Sequence, residues 1–228
     1  ILDVCFGLGY NAGVAIALIQ RLNPDCRIVL HALERSSEVP LQAHQMGVWS
    51  EWGFAEDWLK MVREGRVVRP HFEGFWYGGD ARQAIAEVPE SIADAVFFDP
   101  FASSACPELW TVDFFATIAR RMKRKGRLAT YSCSATVRAG LIEAGFFIGS
   151  TPPVGRIWPG TIASLTPEDL PPLSQSEREH LQTRAAVPYR DPGLCETRDR
   201  IRHQRQQAQQ ISDLEPTTQW KLRWTGRR

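Results

Sequence analysis

The chain offers no close cysteine pair. Cys5, Cys26, Cys106, Cys133 and Cys195 are far apart, odd in number and never in a CxxC spacing. This argues against a disulfide framework or a thiolate zinc site and fits a reducing cytoplasm. The histidines at positions 31, 44, 71, 180 and 203 show neither HExxH nor HxxxH spacing, so no metal is expected. No GxxxxGK[ST] stretch occurs, which excludes a phosphate-loop nucleotidase. No run approaches the roughly 20 apolar residues of a membrane-crossing helix, so no membrane partner is expected. The apolar opening residues are interrupted by Asp3, two glycines and Asn11, and no basic stretch precedes them, which argues against a signal peptide. An initiator methionine is also lacking, and the chain opens within a strand pattern; the expectation is a native start further upstream. The net charge is only +1, so any nucleic-acid contact must rest on a local patch.

What is present is a regular alternation. The 228 residues, 43% of them hydrophobic, suit one domain with an extension. Ile1–Phe6 reads as a buried strand, Gly7–Tyr10 as a turn, Asn11–Leu22 as a helix and Arg27–Leu33 as a second strand. Phe54–Arg63 then reads as a helix with Trp58, Leu59 and Val62 on one side, followed by a strand at Phe72–Tyr77 and a helix at Ala81–Glu87. Ala95–Phe98 is the fourth strand, Glu108–Lys123 a helix and Arg127–Ser132 the fifth strand. Thr136–Ala144 is helical, Gly145 caps it, and strands follow at Phe146–Gly149 and Gly160–Leu165. Such alternation predicts an α/β fold with a doubly wound, mostly parallel sheet, with an antiparallel end. Residues 1–165 form the expected domain and 166–228 a C-terminal extension. Within the extension, Glu177–Arg184 reads as a short charged helix and Arg198–Gln210 as an arginine- and glutamine-rich one, whose Arg198, Arg200, Arg202 and Arg205 suit a solvated helix better than the alternative of an RNA grip. Trp220 and Trp224 suggest that the tail packs back on another part of the chain, with the extension lying on or beside the domain.

Four positions carry chemistry. Gly7-Leu8-Gly9, between the first strand and helix, lets the backbone approach a ligand and aims free N–H groups at it. With Ala12 it also fits a dinucleotide fingerprint. Glu34, ending the second strand, can accept from both ribose hydroxyls, as NAD and S-adenosylmethionine sites alike require. Gly79-Asp80, after the third strand, can accept from an exocyclic adenine amine, which shifts the balance towards S-adenosylmethionine; Asp80 can equally cap the next helix. Asp99-Pro100-Phe101 ends the fourth strand, so Asp99 falls where a transferred methyl would lie, with the following proline favouring a turn there.

With these positions aligned, the middle of the chain resembles the MnmC family of tRNA wobble-uridine modification enzymes. The likeness lies in Asp94-Ala-Val-Phe-Phe-Asp99-Pro-Phe-Ala-Ser-Ser-Ala-Cys-Pro107-Glu-Leu-Trp110-Thr, in Gly126-Arg-Leu-Ala-Thr-Tyr-Ser132 and in Val137-Arg138-x-Gly140-Leu141 followed by Ala144-Gly145-Phe146. It spans roughly residues 1–165 and implies a Rossmann-like class I methyltransferase using S-adenosyl-L-methionine. Ser104 and Ala105 stand where the family commonly has a nearby lysine, and no second glycine-rich unit for FAD is visible, so a stand-alone methyltransferase without the oxidase domain is expected.

The implied reaction methylates the amine of 5-aminomethyl-(2-thio)uridine in tRNA. Asp99 would be the catalytic group and would also touch the cofactor, alongside Gly7, Gly9, Glu34, Gly79 and Asp80. Phe101 and Trp110 would stack on or wall the target base, with core packing as the other reading for both. Arg138 would contact RNA phosphate or a neighbouring carboxylate. Two further readings stay open: a methyltransferase of the same fold acting on a small amine, and a non-catalytic module that binds RNA or a partner. Oligomeric state is not legible.

Overall fold

The structure, a computed structural model, describes residues 1–224; the last four residues of the expected extension lie outside the described residues. Eight strands form one sheet in the order β3-β4-β2-β1-β5-β6-β8-β7. They are β1 (Leu2–Val4), β2 (Ile28–Glu34), β3 (Arg66–Arg69), β4 (Phe72–Gly78), β5 (Ala93–Phe98), β6 (Met122–Thr130), β7 (Phe147–Thr151) and β8 (Gly160–Ser164). β4, β2, β1, β5 and β6 run parallel; β3 pairs antiparallel with β4, and β8 antiparallel with β6 and β7. This is the Rossmann-like doubly wound arrangement with an antiparallel end. Central β1 is buried along its whole length because both faces are covered, which is why apolar residues flank Asp3 on both sides.

Helices α1 (Tyr10–Leu22), α2 (Glu38–Gln45) and α3 (Ala55–Glu64) cover one face. Ile16, Ala43, Trp58 and Met61 pack there on Ile28 and Leu30. Helices α4 (Ala81–Ala84), α5 (Val112–Arg121) and α6 (Ala135–Glu143) cover the other. Ile85, Phe114, Phe115 and Val137 pack there on Leu2, Val4 and Phe98. The remaining helices, α7 (Gln175–His180), α8 (Arg198–Gln210) and α9 (Thr217–Trp224), follow the last strand.

Several elements differ from the sequence reading, each for a physical reason. The expected helix over Glu108–Lys123 is divided. Pro107–Leu109 makes a single 3₁₀ turn, Trp110 turns inward, and the Thr111 hydroxyl accepts from the Phe114 N–H to start α5 afresh. Its last residues instead open β6, which begins at Met122. The edge strand β3 holds only two apolar residues between arginines, too short for an alternation signal.

Helix α8 is not simply solvated. Ile201 is fully buried. Arg205 donates to the carbonyls of Val187 and Ala185, and its guanidinium lies 4.7 Å from the Tyr189 ring centroid. The end of the chain packs within the extension: Trp220 stacks on His180 of α7 and donates to the Ser176 carbonyl. Among the described residues no helix is long and apolar enough to cross a membrane.

Candidate active site

A cavity of ≈ 860 Å³ opens beside the carboxyl ends of β1, β2, β4 and β5. The chain leaves β1 first towards β2 and later returns to β5 on its other side, so the crevice lies at the point where the winding reverses. Open α/β sheets bind their ligands there.

The loop after β1 is tightly wound. Cys5, Gly7 and Gly9 all have left-handed φ values, 69°, 55° and 80°. Both the Cys5 and Phe6 N–H groups donate to the Leu33 carbonyl at 3.0 Å. A Cβ at Gly9 would lie 2.3 Å from the Trp58 ring and 2.8 Å from Phe6, so only glycine fits. Trp49, from the segment between α2 and α3, donates its indole N–H to the Leu8 carbonyl at 2.7 Å and holds the loop from outside. Glu34 braces it from within: Oε2 accepts from the Gly7 N–H at 2.9 Å and Oε1 from the Ser36 N–H at 3.2 Å. Each carboxylate oxygen can take more than one donor, so Glu34 retains capacity towards the cavity.

Beside it, Gly79 has φ 105° and donates its N–H to the Glu34 carbonyl. Asp80 caps α4 by accepting from the Arg82 N–H at 3.0 Å. The capping alternative is therefore realised, and it leaves the carboxylate at the cavity wall. The Arg82 guanidinium also binds both Asp80 oxygens, at 2.7 to 3.2 Å. Against the opposing cost of burial, these bonds hold the Asp80 carboxyl below its ordinary range.

Asp99 stands at the exit of β5. Desolvation by the cavity walls raises its carboxyl above the usual range, and a bond from the Asn11 amide to Oδ2, at 3.0 Å, opposes that rise. Behind it lies Asp3, fully buried, with neither carboxylate oxygen in a hydrogen bond of normal geometry. Burial, followed by the nearby Asp99 charge, pushes the Asp3 carboxyl up to about 7. Phe101 is 84% exposed at the cavity wall. Its carbonyl is pinned from below by the Trp110 indole N–H at 2.8 Å and the Cys106 thiol at 2.9 Å. Tyr131 adds a bond to the Pro100 carbonyl at 2.9 Å.

The structure thus brings Gly7, Gly9's loop, Glu34, Gly79, Asp80, Asp99 and Phe101 together. It corrects two expectations. Trp110 has no exposed surface and packs edge-on against Phe98, so it supports Phe101 from the core and cannot wall a base itself. Arg138 is 2% exposed and cannot meet RNA phosphate. Its guanidinium reaches Glu177, Ser150, Thr161 and the Gly160 carbonyl, which ties α6 to the β7–β8 hairpin and α7. The carboxylate alternative for Arg138 is the one observed.

Residues given no role at this cavity from sequence also contribute: Asp3, Asn11, Trp49, Arg82 and Arg198. An aspartate inside an apolar strand was a signal for the first. Arg198 had none, since it reaches the cavity wall by an ion pair to Glu108 across 90 residues of chain. Arg202 donates to the Ser104 carbonyl, so α8 brings cations to the loop that lacks the lysine.

Chemically, the donor set suits a nucleoside with a cationic tail. Glu34 can accept from vicinal hydroxyls and Asp80 from an exocyclic amine. Asp99 places a carboxylate beside the glycine loop, and behind it the buried Asp3 carboxyl, raised to about 7, can ionise when a cation lies over the loop. Among the described residues, no group of three His, Cys, Asp or Glu side chains could hold a metal ion.

Known proteins agree with this geometry. A family described as S-adenosyl-L-methionine-dependent methyltransferase matches residues 56–166. The crystal structure of MnmC2 from Aquifex aeolicus superposes with a TM-score of 0.78 and 33% identity, over 92% of this chain and 68% of that one. An uncharacterised protein of Methanocaldococcus jannaschii is 30% identical over 214 residues, which is 91% of this chain and 58% of that protein. The tRNA 5-methylaminomethyl-2-thiouridine biosynthesis bifunctional protein MnmC of Pseudomonas entomophila is 29% identical over 168 residues, 67% of this chain and 25% of that protein. The chain therefore spans little more than half of the first of these two relatives and a quarter of the second.

Proposed function

The chain belongs to the MnmC-related S-adenosyl-L-methionine-dependent methyltransferases, and from that premise we propose that it methylates the exocyclic amine of 5-aminomethyl-(2-thio)uridine at the wobble position of cytoplasmic tRNA. The observation that carries this reading is the meeting, in one cavity, of three acidic strand exits with an aromatic ring left open to solvent. The name of MnmC, which refers to tRNA 5-methylaminomethyl-2-thiouridine biosynthesis, supports the choice of substrate.

In this reading Glu34 accepts from the ribose hydroxyls, Asp80 from the adenine amine, and the Gly7–Gly9 loop receives the amino-acid end. Asp99 supplies negative charge to a ligand that is cationic at both its sulfonium and its ammonium, and that cation in turn favours ionisation of the buried Asp3. S-adenosylmethionine supplies an electrophilic methyl carbon. The substrate amine uses its lone pair to form the new C–N bond, while the C–S pair leaves with sulfur. Displacement of this kind needs alignment above all, so positioning dominates the rate. The amine must be neutral to attack, whereas a fixed carboxylate favours its ammonium form. Asp99 therefore serves by orienting the amine N–H and receiving a proton as positive charge develops on nitrogen. Asn11 fixes the Asp99 carboxylate for that task. Phe101 offers the flipped-out base a stacking face at the mouth, a mode suited to unpaired anticodon bases. Tyr10 and Leu8, both partly exposed at the cavity wall, extend this apolar rim.

The test is to incubate the protein with methyl-labelled S-adenosylmethionine and tRNA lacking the final methyl. Label recovered in the wobble nucleoside is the expected result. Label in small amines alone supports a methyltransferase of the same fold with another substrate; absence of cofactor binding would leave only a non-catalytic binding module. Asp99→Ala should cut turnover at saturating cofactor by roughly 10²-fold or more, beyond any loss of cofactor affinity that follows from removing its charge. Unchanged turnover would refute the role given to Asp99.

A further inference from the structure

The adenine end of the cavity is fastened to a distant part of the chain. Arg82, whose side chain is only 11% exposed, faces two carboxylates at once. Its Nε and Nη2 bind Asp80, while Nη1 donates to Asp191 Oδ2 at 2.8 Å and to the Glu196 carbonyl at 3.0 Å. Asp191 is fully buried. Its second oxygen accepts the N–H groups of Cys195 and Glu196, each at 3.1 Å, and its own N–H donates to Asp113 at 2.6 Å. Gln83, beside Arg82, adds a bond to the Leu194 carbonyl at 2.9 Å. On the opposite wall, Arg198 grips Glu108 through two bonds at 2.8 and 3.3 Å. Residues 191–198 thus span the cavity's end and are bonded to both of its sides.

This arrangement does more than anchor a tail. The terminal torsion of an aspartate is soft, so an unsupported Asp80 would rotate its carboxylate freely. A guanidinium fork fixes the plane of the carboxylate it binds. That fork is itself held by a buried anion with no freedom to move. Arg82 holds both oxygens of Asp80, and each keeps capacity to accept from a ligand in the cavity that Asp80 lines. Because the Asp80 side chain remains 43% exposed, its pair with Arg82 contributes little stability alone, and its significance lies in geometry.

We propose that the 191–198 segment is part of the cofactor site, with Asp191 fixing Arg82 and Arg82 acting as a positioning residue that presets Asp80 for the exocyclic amine of adenine. The inference rests on the placement of that amine at Asp80 given above. Preorganisation of this kind lowers the cost of binding and sharpens selection for the amine, because ordering has already occurred.

Calorimetry with two ligands tests it: S-adenosylhomocysteine, and its analogue carrying hydrogen in place of the adenine amine. The wild-type protein should prefer the amine-bearing ligand by about tenfold or more, the usual loss when a hydrogen bond to a charged group is deleted. Arg82→Lys keeps the charge and loses the fork, and should shrink that preference to within about threefold. A variant that binds both ligands more weakly but keeps the full preference would show Arg82 to be merely structural and overturn the proposal. No preference in the wild type would instead refute the placement of the amine at Asp80. Asp191→Asn, which preserves shape while removing the anchor's charge, carries the same comparison should Arg82→Lys fail to fold; an undiminished preference there also counts against the proposal.

Discussion

Desolvation lifts the Asp99 carboxyl while the Asn11 amide, 3.0 Å away, draws it back down. The amide bond favours the ionised carboxylate, so its removal must raise the pKa further. Asn11→Ala should therefore move the acid limb of the kcat/KM profile to higher pH, by about half a pH unit to one, the equivalent of a single net hydrogen bond. A limb that stays in place or moves to lower pH would break the assigned link between Asn11 and Asp99. Neither residue's partnership is visible in sequence. Asp99 stands out through its place at a strand exit, but Asn11 is a polar residue in the first turn of a helix, where many residues would serve. At the same scale, Trp110 shows the limit of reading aromatics by type: the Pro107–Trp110 spacing marks the family, but only packing reveals that the indole faces Phe98 and supports Phe101 from behind.

The Cys5–Gly9 loop and the aromatic residues around it behave as one element. Gly9 is close-packed by Trp58 and Phe6, whereas Gly65, which ends α3 at φ 81°, has open space where a Cβ would project. Both require a left-handed backbone, so comparing them separates strain from collision. Gly65→Ala should cost about 1 kcal/mol of unfolding free energy, the price of the conformation alone. Gly9→Ala adds overpacking and should cost about 2–4 kcal/mol, with cofactor affinity falling as the loop is displaced. Equal losses in denaturant unfolding would show that the Trp58 wall yields. The glycine turn itself was legible, because strand, glycines and helix follow each other directly. Its wall was legible only in part: Trp58 falls on the apolar side of the expected helix, but its contact with Gly9, and that of Trp49 from an irregular stretch with Leu8, arise only in tertiary packing. Helix boundaries failed in a related way, where Thr111 caps α5 and makes two elements of one apolar stretch.

For the molecule as a whole, the centre of the sheet carries an electrostatic liability. Asp3 has a folded-state pKa of about 7 against an ordinary 3.8. The native state thus holds a proton that the unfolded chain releases, and stability declines as pH rises from about 4 to 7. At and above pH 7 the penalty reaches about 4 kcal/mol as an upper figure. Asp3→Asn should remove this slope, leaving the variant more stable than the wild type at pH 8 but not at pH 4, as read by denaturant titration at both values. A wild-type and variant pair with parallel pH curves would show that Asp3 is paired in the native state. Bound ligand would moderate the effect, since a cation over the loop favours the ionised carboxyl.

The sequence by itself determined the alternation of strands and helices, the glycine turn at the first strand and the acidic residues at three strand exits. These are local properties: an apolar run, a turn residue and a charge that ends a strand all lie within a few positions of one another. The tertiary structure alone decided which side chains meet. Arg82 and Asp191 stand 109 positions apart, and Arg138 and Glu177 stand 39 apart. No periodicity couples residues at such separations; their pairing depends on how the segment after β8 returns across the ends of the strands. Folding therefore sets the first arginine of a solvated-looking helix at the cavity wall and turns a candidate RNA-binding arginine into an internal tie.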